Sequence, residues 1–321
     1  MQKVTVVIPN FNGIAYIRKC LDSLRKQDFS DFSVIVVDNG SSDGSRELVR
    51  EHYPEVRLIA LQENLGFCRA VNEGILHSDT PYVLLLNNDT EAEPGFVRAM
   101  YEAMEVRPRA FSCSAKLLQY HERTRMDDAG DFYNALGWAY ARGKGKPEEK
   151  YSQSCRIFSS CGAAVIYRRS ILEQIGIFDE EHFAYLEDMD LGYRARIAGY
   201  ENWYIPSARV YHIGSATTGS RYNEFKIRYS SRNNIYLIYK NMPILQIILN
   251  LPFLASGFLI KFLFFASRGY AREYLAGIKN GFSISRNGKK AGKKVKFRLS
   301  NMKNYAKIQL ELWVNLVGRF L

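Results

Sequence analysis

Two hydrophobic rhythms alternate along the first ninety residues. Unbroken apolar runs rich in β-branched residues occupy 3–9 (KVTVVIP), 33–38 (SVIVVD) and 81–86 (PYVLLL), with a shorter run at 56–60. Each predicts a strand buried on both faces. Between them, apolar residues recur at helical spacing. Ile14, Ile17, Leu21 and Leu24 mark a helix over 14–26; others are predicted over 46–52 and up to Leu76. Strands alternating with helices predict a parallel sheet covered on both faces. In such sheets ligands bind beyond the carboxyl ends of the strands. The polar loops after Pro9, Val37 and Leu86 fall there.

The second half is less regular. Residues 120–155 read as polar and loop-rich, with DDAG at 127–130. A strand is predicted over 159–167, a short helix over 188–198 and a longer one over 222–240. Residues 244–266 are then mostly apolar, long enough to cross a bilayer but interrupted by Gln246, Asn250, Pro252 and Lys261. A last segment, 305–321, mixes Tyr305, Ile308, Leu312 and Trp313 with polar residues.

Charge sharpens this division. From Lys240 onward there are 15 Lys/Arg and 2 acids, a net of +13 against +11 for the whole chain, so the first 239 residues carry −2. A basic tail points to an anionic surface as partner and argues against nucleic acid bound over the whole molecule. The apolar run joined to this tail predicts amphipathic helices lying on a membrane. The competing reading is a helical subdomain packed on the core or on a second subunit. Five scattered cysteines without a CxxC pair suggest free thiols in a reducing compartment. The N-terminus runs straight into a strand without an apolar leader, which predicts a cytosolic start.

Four places carry candidate chemistry. Asp89 follows the strand of residues 81–86, where a carboxylate can hold Mg2+ or Mn2+ against a diphosphate; it could instead cap a following helix. Asp38 ends the second strand and could accept from a base or ribose; Asn, Gly, Ser and Asp around it equally suit a turn. Glu187, Asp188 and Asp190 are three acids in four positions. Such a cluster raises a pKa and can supply a general base, or it can simply favour a helix N-terminus. His212 is a possible metal ligand or a structural histidine. No GxGxxG or P-loop is present.

Taken in order, these segments resemble the family-two inverting glycosyltransferases with the GT-A fold, in their rhamnosyltransferase-like branch. The matching stretches are VVIPNFNG (6–13), VIVVDNGSSDGS (34–45), ENLGFCRAVNEGI (63–75), YVLLLNNDT (82–90), SSCGAAVIYRRS (159–170), IGIFDEEHFAYLEDMDLGYRARIAGY (175–200) and VYHIGSAT (210–217). The resemblance implies an α/β Rossmann-like mixed sheet flanked by helices. It divides the chain into a catalytic domain over 1–240 (donor half 1–119, acceptor half 120–240) and a basic helical tail over 241–321.

The resemblance also implies roles. Pro9, Asn10, Asn12, Asp38, Asn64, Arg69 and Asn72 would line the nucleotide pocket. Asn87, Asn88 and Asp89 stand where the family has its DxD metal motif, here with one carboxylate, and His212 would complete the shell around Mn2+ or Mg2+. Asp188 would be the catalytic base, with Glu187 orienting it or the acceptor. Arg228 or Arg232 would assist the leaving diphosphate. The donor would be a nucleotide sugar, with rhamnose as the sugar. The acceptor would be a glycan or a polyprenyl-diphosphate-linked sugar, met at the inner face of the cell membrane, for surface polysaccharide synthesis. Alternatives are a catalytically silent nucleotide-sugar or glycan-binding module, which has little need of the acidic pair, and a nucleotidyltransferase, for which the loop Asn10–Gly13 lacks the basic residues that handle a triphosphate.

Overall fold

A computed structural model describes residues 2–214 and 222–318. Residues 215–217 of the VYHIGSAT segment and 319–321 of the final segment lie outside the described residues. Strand β1 (Val4–Asn10) leads to helix α1 (Ile17–Arg25), β2 (Phe32–Asn39) to α2 (Ser45–His52), and β3 (Arg57–Leu61) to α3 (Phe67–Leu76). Strand β4 (Tyr82–Leu86) is followed by β5 (Thr90–Ala92) and α4 (Phe96–Glu105). Then come β6 (Ala110–Gln119), β7 (Met126–Asp128), β8 (Asp131–Tyr133), β9 (Ala139–Ala141), β10 (Cys155–Ile157), β11 (Ala164–Arg168) and α5 (Arg169–Ile175). The chain continues through α6 (Glu187–Ile197), β12 (Glu201–His212), α7 (Glu224–Asn241), α8 (Ile244–Ala266), α9 (Ala271–Lys290) and α10 (Met302–Gly318).

The main sheet runs in the order β10-β12-β6-β11-β4-β1-β2-β3, with β5 on β12 and β7 on β6. Its β3-β2-β1-β4 half is parallel, as the apolar runs predicted. Beyond β4 the sheet is mixed: β11 lies antiparallel to both β4 and β6, whereas β12 is parallel to β6. The carboxyl ends of β1, β2, β4, β6 and β12 therefore share one edge. The predicted strand over 159–167 starts only at Ala164, because residues 159–163 turn along this edge. Residues 120–155 hold three short strands, β7 to β9, in place of plain loop. Val6, Ile8, Leu84 and Leu86 sit in one core with α1 and α4, and Val7, Val83 and Leu85 in a second with α3 and α5. Each such side chain contributes about 1.5–3 kcal/mol by leaving water.

The tail packs on this body and also leaves apolar surface outside. Helix α9 runs along α7, and α10 reaches α6. Helix α8 is inverted relative to a core helix. Its buried stripe is Gln246, Asn250, Leu254 and Gly257, one face at helical spacing. Gln246 accepts from Tyr193, and Asn250 exchanges hydrogen bonds with Gln309. Gly257 must lack a side chain, since a Cβ there would sit 2.1 Å from the Leu136 carbonyl oxygen. Two of the interruptions of the apolar run, Gln246 and Asn250, thus face the protein, whereas Pro252 is exposed and Lys261 half-buried. Ile244, Leu245, Ile248, Leu249, Leu251, Leu259, Ile260 and Leu263 face out. Among the described residues, α8 alone is long and apolar enough to cross a membrane.

Candidate active site

A cleft of about 390 Å³ opens at the carboxyl edge of the sheet. It brings together Pro9, Asn10, Asn64, Asn87, Asn88, Asp89, Glu187, Asp188 and His212. Asp38, Asn12, Arg69, Asn72, Arg228 and Arg232 are not on its lining.

The loops after β1, β2, β3 and β4 are held by side chains bonding to one another. Asn10 Nδ2 donates to Asp38, and Asn10 Oδ1 accepts from Asn88 at 2.7 Å. This bridge closes over Gly13, where a Cβ would lie 2.1 Å from Asn88 Nδ2. Asn12, at φ +49°, accepts from the Ser42 amide. Asn39 donates to Asn64 and to the Gly66 carbonyl, tying the loop after β2 to the one before α3. Asp38 is fully buried and closed by Arg46 at 3.0 Å, the Ser41 amide and Asn10. It stiffens the loop from behind. Asn72 is likewise turned inward, where it exchanges hydrogen bonds with the Phe178 backbone. Arg69 pairs with Glu73 and Glu180.

Asp89 does not cap a helix, because Thr90 begins strand β5 and the next helix starts at Phe96. That strand pairs with β12 so that Thr90 stands opposite His212. Asp89 Oδ1 lies 3.4 Å from His212 Nε2, and His212 Nδ1 lies 2.8 Å from Asp127 Oδ2. Burial alone would lower the His212 pKa. The hydrogen bonds to Asp127 and Asp89 outweigh it and push the imidazole up to about 9. Asp127 is the reverse case: burial would raise it, but His212 and Lys144 bring it down to about 2. A carboxylate behind one ring nitrogen fixes the imidazole and aims the other, as metal-binding histidines require. Carboxylate and imidazole, with the Asn87 amide in the same cleft, are a donor set that fits a divalent ion once the ion displaces the imidazole proton. A second group, Asp128, Asp131 and Cys161, has its ligand atoms within 4.8 Å of one another. Its donors fit Mg2+ or Mn2+ less well. The two carboxyls hydrogen-bond each other, burial raises both, Asp128 to about 7, and a thiol is a soft partner for a hard ion.

The three acids of α6 part company. Asp190 points away, to Arg194, Lys240 and Asn241. Burial opposes its charge, yet Lys240 and Arg194 hold its pKa far below the carboxylate range. Glu187 and Asp188 face the cleft. Glu187 Oε2 is buried without a partner, and burial together with the Asp188 charge lifts Glu187 to about 8. Asp188 accepts from the amides of Gly162 and Met189, and burial raises its pKa as well. The loop ahead of them is strained: Phe183, Tyr185 and Leu186 have φ of 61°, 72° and 64°. Such residues cost about 1–3 kcal/mol each and collect at functional sites. Asn233 Nδ2, within 2.8 Å of the carbonyls of His182, Ala184 and Tyr185, holds the loop. Arg232 donates to the carbonyls of Glu181 and His182, so it fastens this same loop. Arg228 is exposed on α7.

Asp127, Asn233, Phe183, Tyr185, Phe225 and Lys226 enter the site region without having been singled out from the sequence. Asp127 was visible only as part of DDAG. It reaches His212 because β7 pairs with β6, which in turn pairs with β12.

Comparison with known proteins agrees with this geometry. The model of glycosyl transferase family 2 matches residues 5–176. The N-acetylglucosaminyl-diphospho-decaprenol L-rhamnosyltransferase of Mycobacterium tuberculosis is 31% identical over 241 residues, covering 67% of this chain and 77% of that protein. A teichoic acid poly(glycerol phosphate) polymerase of Staphylococcus epidermidis is 35% identical over 95 residues, 28% of this chain and 13% of that protein. In fold, the crystal structure of GalNAc-T7 with UDP, GalNAc and Mn2+ superposes with a TM-score of 0.62 at 13% identity, over 74% of this chain and 48% of that one. S. aureus TarS 1-349 in complex with UDP gives 0.52 at 18% identity, over 96% of this chain and 79% of that one. The chain is thus a GT-A enzyme that transfers sugar from a nucleotide sugar, with the cleft at the sheet's carboxyl edge as its candidate site, and it belongs to glycosyl transferase family 2.

Proposed function

We propose that this glycosyltransferase works by inversion, with Asp188 as the base, and passes a rhamnosyl group to a lipid-diphosphate-linked sugar. The observation that carries the mechanism is the placement of Asp188, half-buried, on the cleft beside the buried Glu187, with Asp190 drawn away into ion pairs. Asp188 takes the proton from an acceptor hydroxyl. The oxygen then bonds to the anomeric carbon from the face opposite the diphosphate, whose C–O bond breaks. Glu187 keeps its own proton at neutral pH, so the pair carries one charge and not two. Asn10, Asn64 and Asn87 face the donor. A divalent ion, Mn2+ or Mg2+, held by Asp89 and His212 would neutralise charge on the departing diphosphate.

The rhamnosyl group and the lipid-linked acceptor rest on the mycobacterial relative, whose name states both. The inverted α8 supports a seat on the inner face of the membrane. Its polar stripe is occupied by the protein along the helix, so the helix lies in the interface plane with its apolar side in lipid. Thermal shifts with a panel of nucleotide sugars, with and without Mn2+, test the reading. A deoxythymidine-diphosphate rhamnose shift that grows with Mn2+, together with nucleoside diphosphate release on adding acceptor, is expected. No shift with any nucleotide sugar and no release would overturn it.

A further inference from the structure

Between the cleft and the outward face of α8 stand two groups of aromatic side chains, one at each end, linked by the short stretch of chain from Tyr222 to Phe225. Phe183 and Tyr185 line the cleft next to Glu187 and Asp188. Phe225, on the first turn of α7, packs on both, with ring centroids 6.3 and 6.1 Å away, and on Tyr229 at 4.4 Å. Tyr222 stands three residues earlier, at most about 11 Å along the chain. Its ring meets Phe264 and Phe265, the last turn of α8, at 5.7 and 6.2 Å. From there the exposed face of α8 continues through Leu263, Ile260 and Leu259. A cation marks the junction: the Arg268 guanidinium lies 3.7 Å from the Phe264 ring centroid and 6.0 Å from that of Tyr222. Its Nη1 donates to the Phe264 carbonyl, and the guanidinium fork has more donors than that bond uses.

We infer that this track is the acceptor's binding site, and that it takes a sugar linked through a phosphate or diphosphate to a long apolar chain. The inference rests on the glycosyltransferase reading and adds the place where the carrier lies. The order of chemistry along the track matches the order of such a molecule. The acids Glu187 and Asp188 stand at the sugar end, aromatic faces suited to sugar and hydrocarbon alike come next, an arginine stands at the phosphate, and an aliphatic helix face follows for the chain. Arg is suited to this position because its planar fork grips phosphate oxygens in pairs while it stacks on a ring. A water-soluble glycan would have no use for the Phe264–Phe265 end.

The test uses the whole chain and three probes: farnesyl diphosphate, farnesol and inorganic diphosphate. Farnesyl diphosphate is expected to bind at least tenfold more tightly than either of the others, and to bind together with the nucleotide sugar. Arg268→Glu should remove most of the preference for farnesyl diphosphate over farnesol, with Arg268→Lys intermediate. Phe264→Ala combined with Phe265→Ala should weaken farnesol and farnesyl diphosphate alike. Circular dichroism of each variant separates misfolding from lost contacts. Farnesyl diphosphate that binds no better than inorganic diphosphate, or that displaces the nucleotide sugar, overturns the inference, as does an Arg268→Glu variant that binds like the parent. Phosphatidylglycerol vesicles that block farnesyl diphosphate as well as farnesyl diphosphate blocks itself also overturn it, since the site would then be a general anionic-lipid contact. Nucleotide-sugar melting shifts on the same protein keep the two readings apart. A donor that shifts the melt while farnesyl diphosphate fails to bind removes the track and leaves the glycosyltransferase reading standing.

Discussion

The two walls of the cleft are built in opposite ways. On the donor wall, the loops after β1, β2, β3 and β4 are stitched by neutral amides, Asn10 to Asn88 and Asn39 to Asn64, and the buried Asp38 is closed by Arg46. On the acceptor wall, three residues of the 183–186 loop sit at positive φ, and Glu187 is a buried acid with an unpartnered oxygen. The first wall has a single positive-φ side chain, Asn12, and its amides are paired. The second stores strain and holds a proton. A rigid wall suits a donor whose diphosphate must stay fixed in line with the attack, and a loaded wall suits the group that must change protonation in each turnover.

The sharpest way to break this contrast is Asp188→Asn. Loss of a general base costs about 10²–10⁴ in rate. The donor wall is untouched, so the melting shift given by the nucleotide sugar should persist. Equal loss of turnover and donor binding would mean that the walls are not separate. Asp89→Ala should produce the mirror image, abolishing metal-dependent donor binding. Asp127→Ala tests the support behind His212, with an expected drop in Mn2+ affinity of about 10–100-fold, read by titrating activity with the ion. Activity indifferent to chelator would remove the ion from the donor wall.

A middle-sized effect is expected from Asn233→Ala. Asn233 is fully buried and is the hook on the strained loop. Each buried carbonyl left without its donor costs about 1–3 kcal/mol. The loop should relax and carry Glu187 and Asp188 off their places. Turnover should fall about tenfold or more while the donor's melting shift stays. Asn233→Asp should not rescue it, because a carboxylate cannot donate. Rescue would show that the loop is held by something else.

The same contrast explains what the sequence makes legible. The parallel half is local: each apolar run is one strand and each polar loop after it is one piece of the donor wall, so β1, β2, β4 and Asp89 could be placed from pattern alone. The resemblance pointed to the Glu187–Asp188 pair, but pattern could not say that Asp190 turns away, because that depends on Lys240, fifty residues later. Asp127 joins His212 only through sheet order. Asp38 and Asn72 were expected on the nucleotide wall and are turned inward, a matter of side-chain partners from β1, α2 and the 178 turn that no spacing displays. In α8 the Gln246 and Asn250 positions looked like faults in an apolar segment. They form its protein-facing stripe, and only the packing against Tyr193 and Gln309 shows which side of the helix is inside.

The smallest expected effect concerns the proton on the acceptor wall. Glu187 has an ordinary pKa of 4.5 and is lifted to about 8 by burial and by the Asp188 charge. Between these values the folded protein keeps a proton that the unfolded chain has released. The stability this confers is complete below pH 4.5 and is lost as pH rises through about 8. Glu187→Gln keeps the shape and removes the titration. The variant should therefore melt higher than the parent at pH 9, by about 2–4 °C, and show little gain at pH 5. In the metal-free protein some slope will persist, because burial lifts Asp128 to about 7 and the Asp127 and Asp89 hydrogen bonds lift His212 to about 9, and both shifts have the same sign. If the two melting curves instead run parallel from pH 5 to 9, the loss of stability belongs to Asp128 and His212, and the loaded wall extends from the α6 acids to the β7 side of the cleft.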